Sequence, residues 1–161
     1  MKKLFLLGLI SILFIVSACG KEETNNHDDH AGHSESVDLR EQTASVDVLP
    51  KFLDSQSEEM RLVYQAAGKA ADILQWIPCY CGCGESVGHT SNKNCFINEI
   101  NEDGSVIWDD HGTRCGVCLK IAAQTVQMKQ EGKTNLEIRQ FIDDTYKTGF
   151  AKPTDTDMPA A

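Results

Sequence analysis

Six residues from Cys79 to Gly84 carry three cysteines at alternate positions, as Cys79-Tyr80-Cys81-Gly82-Cys83-Gly84, with Pro78 before them. Alternate residues of an extended chain point to one side, so the three sulfurs can share one face of a loop. Gly82 and Gly84 allow the backbone to curl where a Cβ would resist. Cys95, Cys115 and Cys118 follow, with His89 and His111 among them. Thiolates are soft ligands that select Cu(I), Zn(II) or iron–sulfur centres. Zinc asks for four thiolate or imidazole donors around one ion, whereas closely spaced cysteines can bridge neighbouring Cu(I) ions. Cys79, Cys81, Cys83, Cys95, Cys115 and Cys118 are the candidate metal ligands, and His89 and His111 complete the set.

The elements that must position these residues follow from periodicity. Ser55 followed by Glu58 has the form of a capping box. Leu62, Val63, Ala66, Ala67, Ala70, Ile73, Leu74 and Ile77 recur at helical spacing behind it. Pro78 ends that helix, which sets Trp76 and Ile77 in the core beneath the cysteine loop. Cys95 to Ile100 and Ser105 to Trp108 have strand composition around Asp103-Gly104, a turn signal, and predict a hairpin. Thr113 is the candidate cap of a helix over residues 114–131, with Cys115 and Cys118 one turn apart on the same side. Gly132 suits that helix's end, and Thr134 with Glu137 opens another that runs to about Lys147. The expected fold is therefore mainly α, a small three-helix domain with a short β-hairpin and a cysteine-rich loop.

The chain has 161 residues, enough for one domain, with 24 acidic against 15 basic side chains. The acidic balance argues against nucleic acid as a partner. Nothing resembles a Ser/His/Asp set, a phosphate loop or a paired-carboxylate site. Lys2 and Lys3 precede an apolar run, Leu4 to Val16, too short for a confident membrane span and suited to a secretory signal. It ends in Val16-Ser17-Ala18-Cys19, which resembles a bacterial lipobox. That resemblance implies cleavage before Cys19, diacylglycerol on its sulfur, and a chain anchored by lipid on the outer face of the bacterial cell membrane.

The domain reading is a signal peptide over residues 1–18 and a lipidated, disordered tether over 19–45. A cysteine-rich helical domain over 46–150 and a flexible tail over 151–161 complete it. The tether carries His27, His30 and His33 beside Asp28 and Asp29, a weak site for Cu(II), Zn(II) or Ni(II).

Two further resemblances rest on motifs. Pro78 to Gly84, Gly88-His89, Cys95-Phe96, Trp108 to Gly112 and Cys115 to Cys118 look like the PCYCGC-motif lipoproteins, which implies export and leaves the chemistry open. Arg114-Cys115-Gly116-Val117-Cys118 is similar to the RCxxC motif of cytochrome c maturation thiol reductases, which are three-helix bundles. Near a helix N-terminus, with Arg114 adjacent, Cys115 is the expected reactive sulfur. Three functions remain open at this point. The first is capture, buffering or handover of Cu(I), or else Zn(II), to a metal- or thiol-exchange protein. The second is thiol–disulfide exchange, with Cys115 and Cys118 catalytic. The third is an interaction lipoprotein stapled by disulfides.

Overall fold

The computed structural model describes residues 38–160. The signal peptide, Cys19, His27, His30 and His33 lie outside the described residues. Among the described residues no helix is long and apolar enough to cross a membrane.

Three strands and a set of helices make up the domain, so the expectation of a mainly α, three-helix fold is corrected to mixed α/β. The strands are β1 (Arg40–Thr43), β2 (Ile97–Ile100) and β3 (Val106–Asp109). They form one antiparallel sheet in the order β1-β3-β2. The hairpin between β2 and β3 turns at Asp103-Gly104, where Gly104 takes φ +85°. Strand β1 lies inside the segment expected to be a disordered tether. Its residues, Arg-Glu-Gln-Thr, offer no apolar alternation for sequence reasoning to find. Backbone pairing and polar side chains hold it instead. Trp108 Nε1 donates to Thr43 Oγ1 at 2.8 Å, and Gln42 Nε2 donates to Ser105 Oγ at 3.0 Å.

Helix α1 (Glu58–Lys69) is capped by Ser57, whose side chain accepts from Met60 N, rather than by Ser55. It breaks at Ala70 and resumes as the single turn α2 (Ala71–Leu74). Its buried face is Tyr64, Ala67 and Gly68, while Leu62 is 57% exposed. Gly68 is needed for closeness: a Cβ there would lie 2.7 Å from the Trp108 ring. Trp76, expected in the core, is only half-buried, whereas Ile77 is fully buried. A second single turn, α3 (Gly84–Val87), follows the cysteine loop. The last two helices are α4 (Gly116–Gln130) and α5 (Asn135–Tyr146), the latter opened by the expected Thr134/Glu137 capping box. Helix α4 packs against both α1 and α5.

The tail does not fray as its composition suggests. Ala151 N donates to Tyr80 O, Thr154 N donates to Cys79 O, and Cys79 N donates to Thr154 Oγ1 at 2.9 Å. Arg139, only 8% exposed, anchors it further by donating to the carbonyls of Thr156 and Asp157. This explains Gly84, where any Cβ would meet the Thr154 methyl.

Candidate metal centre

Each cysteine is presented by a different local device. The helical run ends at Leu74, four residues before Pro78 rather than at it, and the buried Ile77 carries the chain inward, so Cys79 enters the core at 1% exposure. Gly82, at φ +82°, turns the chain so that Cys81 and Cys83 stay half-buried beside it. Cys95 closes a 3-10 turn, Asn92–Cys95, pinned by Asn92 N to Ile77 O at 2.7 Å. The expected strand therefore starts two residues after Cys95. A second 3-10 turn, His111–Arg114, precedes α4. Cys115 is the extended N-cap residue of α4, and Cys118 sits in its first turn. Thr113 does not cap this helix; its hydroxyl donates to Asp110 O instead.

These devices bring all six sulfurs together, although the residues span 39 positions between Cys79 and Cys118. Cys79 Sγ lies 2.9 Å from Cys81 Sγ, 3.4 Å from Cys118 Sγ and 3.7 Å from Cys95 Sγ. Cys95 and Cys118 are 3.1 Å apart. Three donor triads result, each with ligand atoms within 4.8 Å of one another: Cys79/Cys95/Cys118, Cys81/Cys115/Cys118 and Cys81/Cys83/His111. Cys118 and Cys81 each belong to two triads. All six cysteines are free thiols. Sulfurs bound at about 2.3 Å to one tetrahedral ion stand about 3.8 Å apart. A small outward movement of these side chains therefore makes room for an ion, and the cluster can hold a metal.

The family described as "Protein of unknown function with PCYCGC motif" matches residues 8–159. The chain belongs to the PCYCGC family. No curated protein and no solved structure matches it, so the likeness of residues 114–118 to cytochrome c maturation reductases stands on the motif alone.

In this PCYCGC protein the electrostatics correct one further expectation. Cys115 is not the activated sulfur. Cys118 beside it favours its thiolate, but donation to Cys81 and burial prevail and its pKa is raised. Arg114, expected to help, is committed to the carboxylates of Asp110 and Asp38. The activated thiol is Cys81, held down at about 4 by the thiols of Cys115 and Cys118, with His111 contributing. Thiols of Cys118 and Cys79 hold Cys95 at about 7. Burial and the Cys81 charge push Cys83 up to about 12. Cys118, ringed by its neighbours, is raised. The Cys81 thiolate in turn raises His111 to about 9, against the opposing effect of burial. Burial, then the charge of His111, lowers His89. Six anionic sulfurs cannot share this volume without a cation among them, and a bound metal deprotonates its thiols outright.

Asp38 escaped sequence reasoning. It lies in the segment expected to be a tether, yet its carboxylate is 6% exposed and faces His89, His111 and Arg114. No local pattern marks it, because its partners lie 51 to 76 residues away in sequence.

These shifts predict a pH profile for the reduced, metal-free protein. Cys81 ordinarily titrates near 9.0 and sits at about 4 when folded, so its contribution is lost as pH falls through about 4. His111 ordinarily titrates at 6.5 and sits at about 9, so its contribution is lost as pH rises through about 9. Between pH 4 and 6.5 both Cys81 and the lowered His89 favour a rise of stability with pH, and His89 is common to wild type and a Cys81 variant, so the difference between them reports Cys81 alone. Between 6.5 and 9 the folded chain keeps the His111 proton and lacks the Cys81 one, so the two cancel. Comparing wild type with Cys81→Ser by denaturant melts, the stability gap widens from pH 4 to 6.5 and then levels. The slope is at most about 1.4 kcal/mol per pH unit, reduced by solvent screening of the half-exposed Cys81. A gap constant across that range contradicts the Cys81 thiolate.

Proposed function

We propose that the protein binds soft metal ions in this thiolate cluster, Cu(I) first and Zn(II) second, and captures, buffers or hands them over outside the cytoplasmic membrane. The observation that carries this is the sharing of Cys81 and Cys118 between triads. One zinc ion takes four donors and leaves two sulfurs idle, whereas bridging thiolates suit neighbouring Cu(I) ions. Cys81, Cys83 and Cys115 are half-buried while Cys79, Cys95 and Cys118 are buried. The half-buried side is where an ion enters and where a metal- or thiol-exchange protein docks. The lipobox-like Val16-Ser17-Ala18-Cys19 supports a lipid anchor at Cys19 on the outer face of the cell membrane. Nucleic acid is not a partner in this reading.

The test is elemental analysis with thiol counting on protein purified without oxygen. Bound copper with free thiols is the expected result. Metal-free protein with a reducible Cys115–Cys118 bond would instead make it a thiol–disulfide oxidoreductase, and three permanent disulfides would make the cysteines staples. The anchor is tested separately: Cys19→Ala should leave the chain unprocessed or release it to the medium, and a variant that is cleaved yet retained at the membrane like the wild type would refute it.

A further inference from the structure

The histidines do more than border the sulfurs. The His89 and His111 rings meet edge to face, with centroids 4.7 Å apart. One carboxylate serves both: Asp38 Oδ1 is 3.2 Å from His111 Nδ1 and Asp38 Oδ2 is 3.9 Å from His89 Nε2. The second separation is too long for a hydrogen bond. His89 is nonetheless only 6% exposed, and its Nε2 has no hydrogen-bond partner. Its other ring nitrogen, Nδ1, is on Cys95 Sγ at 3.6 Å. An orphaned buried ring nitrogen is costly, and one aimed at a carboxylate and a second imidazole has an obvious use.

We propose that Asp38, His89 and His111 form a second metal site, adjoining the thiolate cluster through His111, that takes a borderline divalent cation such as Zn(II). Imidazole and carboxylate donors bind such an ion at about 2.0–2.2 Å, which spaces tetrahedral donors about 3.3–3.6 Å apart. The observed separations of 3.2 and 3.9 Å bracket that spacing. Three protein ligands leave a fourth position open. The local charge is favourable, because the carboxylates of Asp109 and Asp110 also lie within 4.8 Å of Asp38. Once an ion has displaced the His111 proton, three carboxylates face two cations, Arg40 on Asp109 and Arg114 on Asp38 and Asp110. Arg114 orients the Asp38 carboxylate, as an outer partner orients a ligand. The His111 ring also reaches Cys81 and Cys83, so it joins a soft site to a borderline one.

This inference does not rest on the cluster binding Cu(I), and the test keeps the two apart. The full chain with His27→Ala, His30→Ala and His33→Ala is first saturated with Ag(I), which occupies any accessible thiol, and then titrated with Co(II). One equivalent of Co(II) is expected, with d–d bands of an N/O site and no thiolate-to-cobalt charge transfer. Asp38→Asn and, independently, His89→Gln should each weaken Co(II) binding at least about tenfold. Both should keep the wild-type far-UV spectrum and Ag(I) stoichiometry. Absence of Co(II) binding, a thiolate charge-transfer band, or undiminished binding by the folded His89→Gln variant would overturn the proposal.

Discussion

Cys118→Ser is expected to remove far more bound Cu(I) than Cys83→Ser. The Cys118 sulfur is fully buried, belongs to two donor triads, and lies 3.1 Å from Cys95 and 3.4 Å from Cys79. Removing it leaves neither the Cys79/Cys95 pair nor the Cys81/Cys115 pair with a third donor. Cys83, by contrast, joins one triad and is half-buried. Without metal, a serine hydroxyl at the Cys118 position lacks a good acceptor and costs about 1–3 kcal/mol. With metal the loss is larger. An ion held at a thousand times its dissociation constant stabilises the folded chain by about 4 kcal/mol, and most of that disappears with the ligand. Anaerobic titration against a competing chelator, with melting curves taken with and without Cu(I), measures both effects. Wild-type stoichiometry in Cys118→Ser alongside a large loss in Cys83→Ser would sink the shared-ligand geometry. If Cys79, Cys81 and Cys83 can all become serine with no change in Cu(I) binding, while Cys115→Ser ends thiol–disulfide exchange, the oxidoreductase reading replaces it.

The second large effect comes from a residue with no side chain. Gly112 lies between His111 and the start of α4, and a Cβ there would stand 2.7 Å from Phe96 Cε1 and 2.9 Å from the carbonyl oxygen of Cys95. Phe96 is fully buried and the carbonyl is backbone, so neither gives way cheaply. Gly112→Ala should therefore destabilise the metal-free protein by about 1–3 kcal/mol through overpacking. It should also weaken metal binding, because the strain separates the turn bearing His111 from the one bearing Cys95. Gly116→Ala is the control. Its Cβ meets nothing within 4 Å, and alanine in a helix is favoured over glycine by roughly 0.5–1 kcal/mol. Equal melting temperatures for the two variants would contradict the packing described here.

What could be read from sequence was whatever local chemistry writes. The Thr134/Glu137 cap and the Asp103-Gly104 turn each depend on neighbours a few residues apart. What escaped depends on distant partners. Strand β1 has no apolar alternation because its support is the ladder to β3 and the Trp108 indole. The tail looks disordered in composition, yet Arg139 and the backbone of Cys79 and Tyr80 supply its hydrogen bonds. Helix-dipole reasoning favoured Cys115 as the thiolate. The deciding groups are its spatial neighbours, which favour Cys81 and draw Arg114 away. Cysteine and histidine identities marked the centre; only the fold adds Asp38 to it.

The pairing of β1 with β3 sets an order of events as the chain folds. Arg40 aligns with Asp109, and Thr43 with Val106, so the first strand finds its place only when residues more than sixty positions later are already arranged. Closing so long a loop is entropically slow, and topologies rich in such contacts fold late. The hairpin and the capped helices are local and form early, and the sulfur cluster, spanning 39 positions, needs a shorter closure than the edge strand does. Asp38, two residues ahead of that strand, arrives with it, so the histidine pocket closes only when the strand docks. Until the edge strand docks, His111 lacks its carboxylate, so the histidine pocket depends on a contact made across 73 positions of the chain.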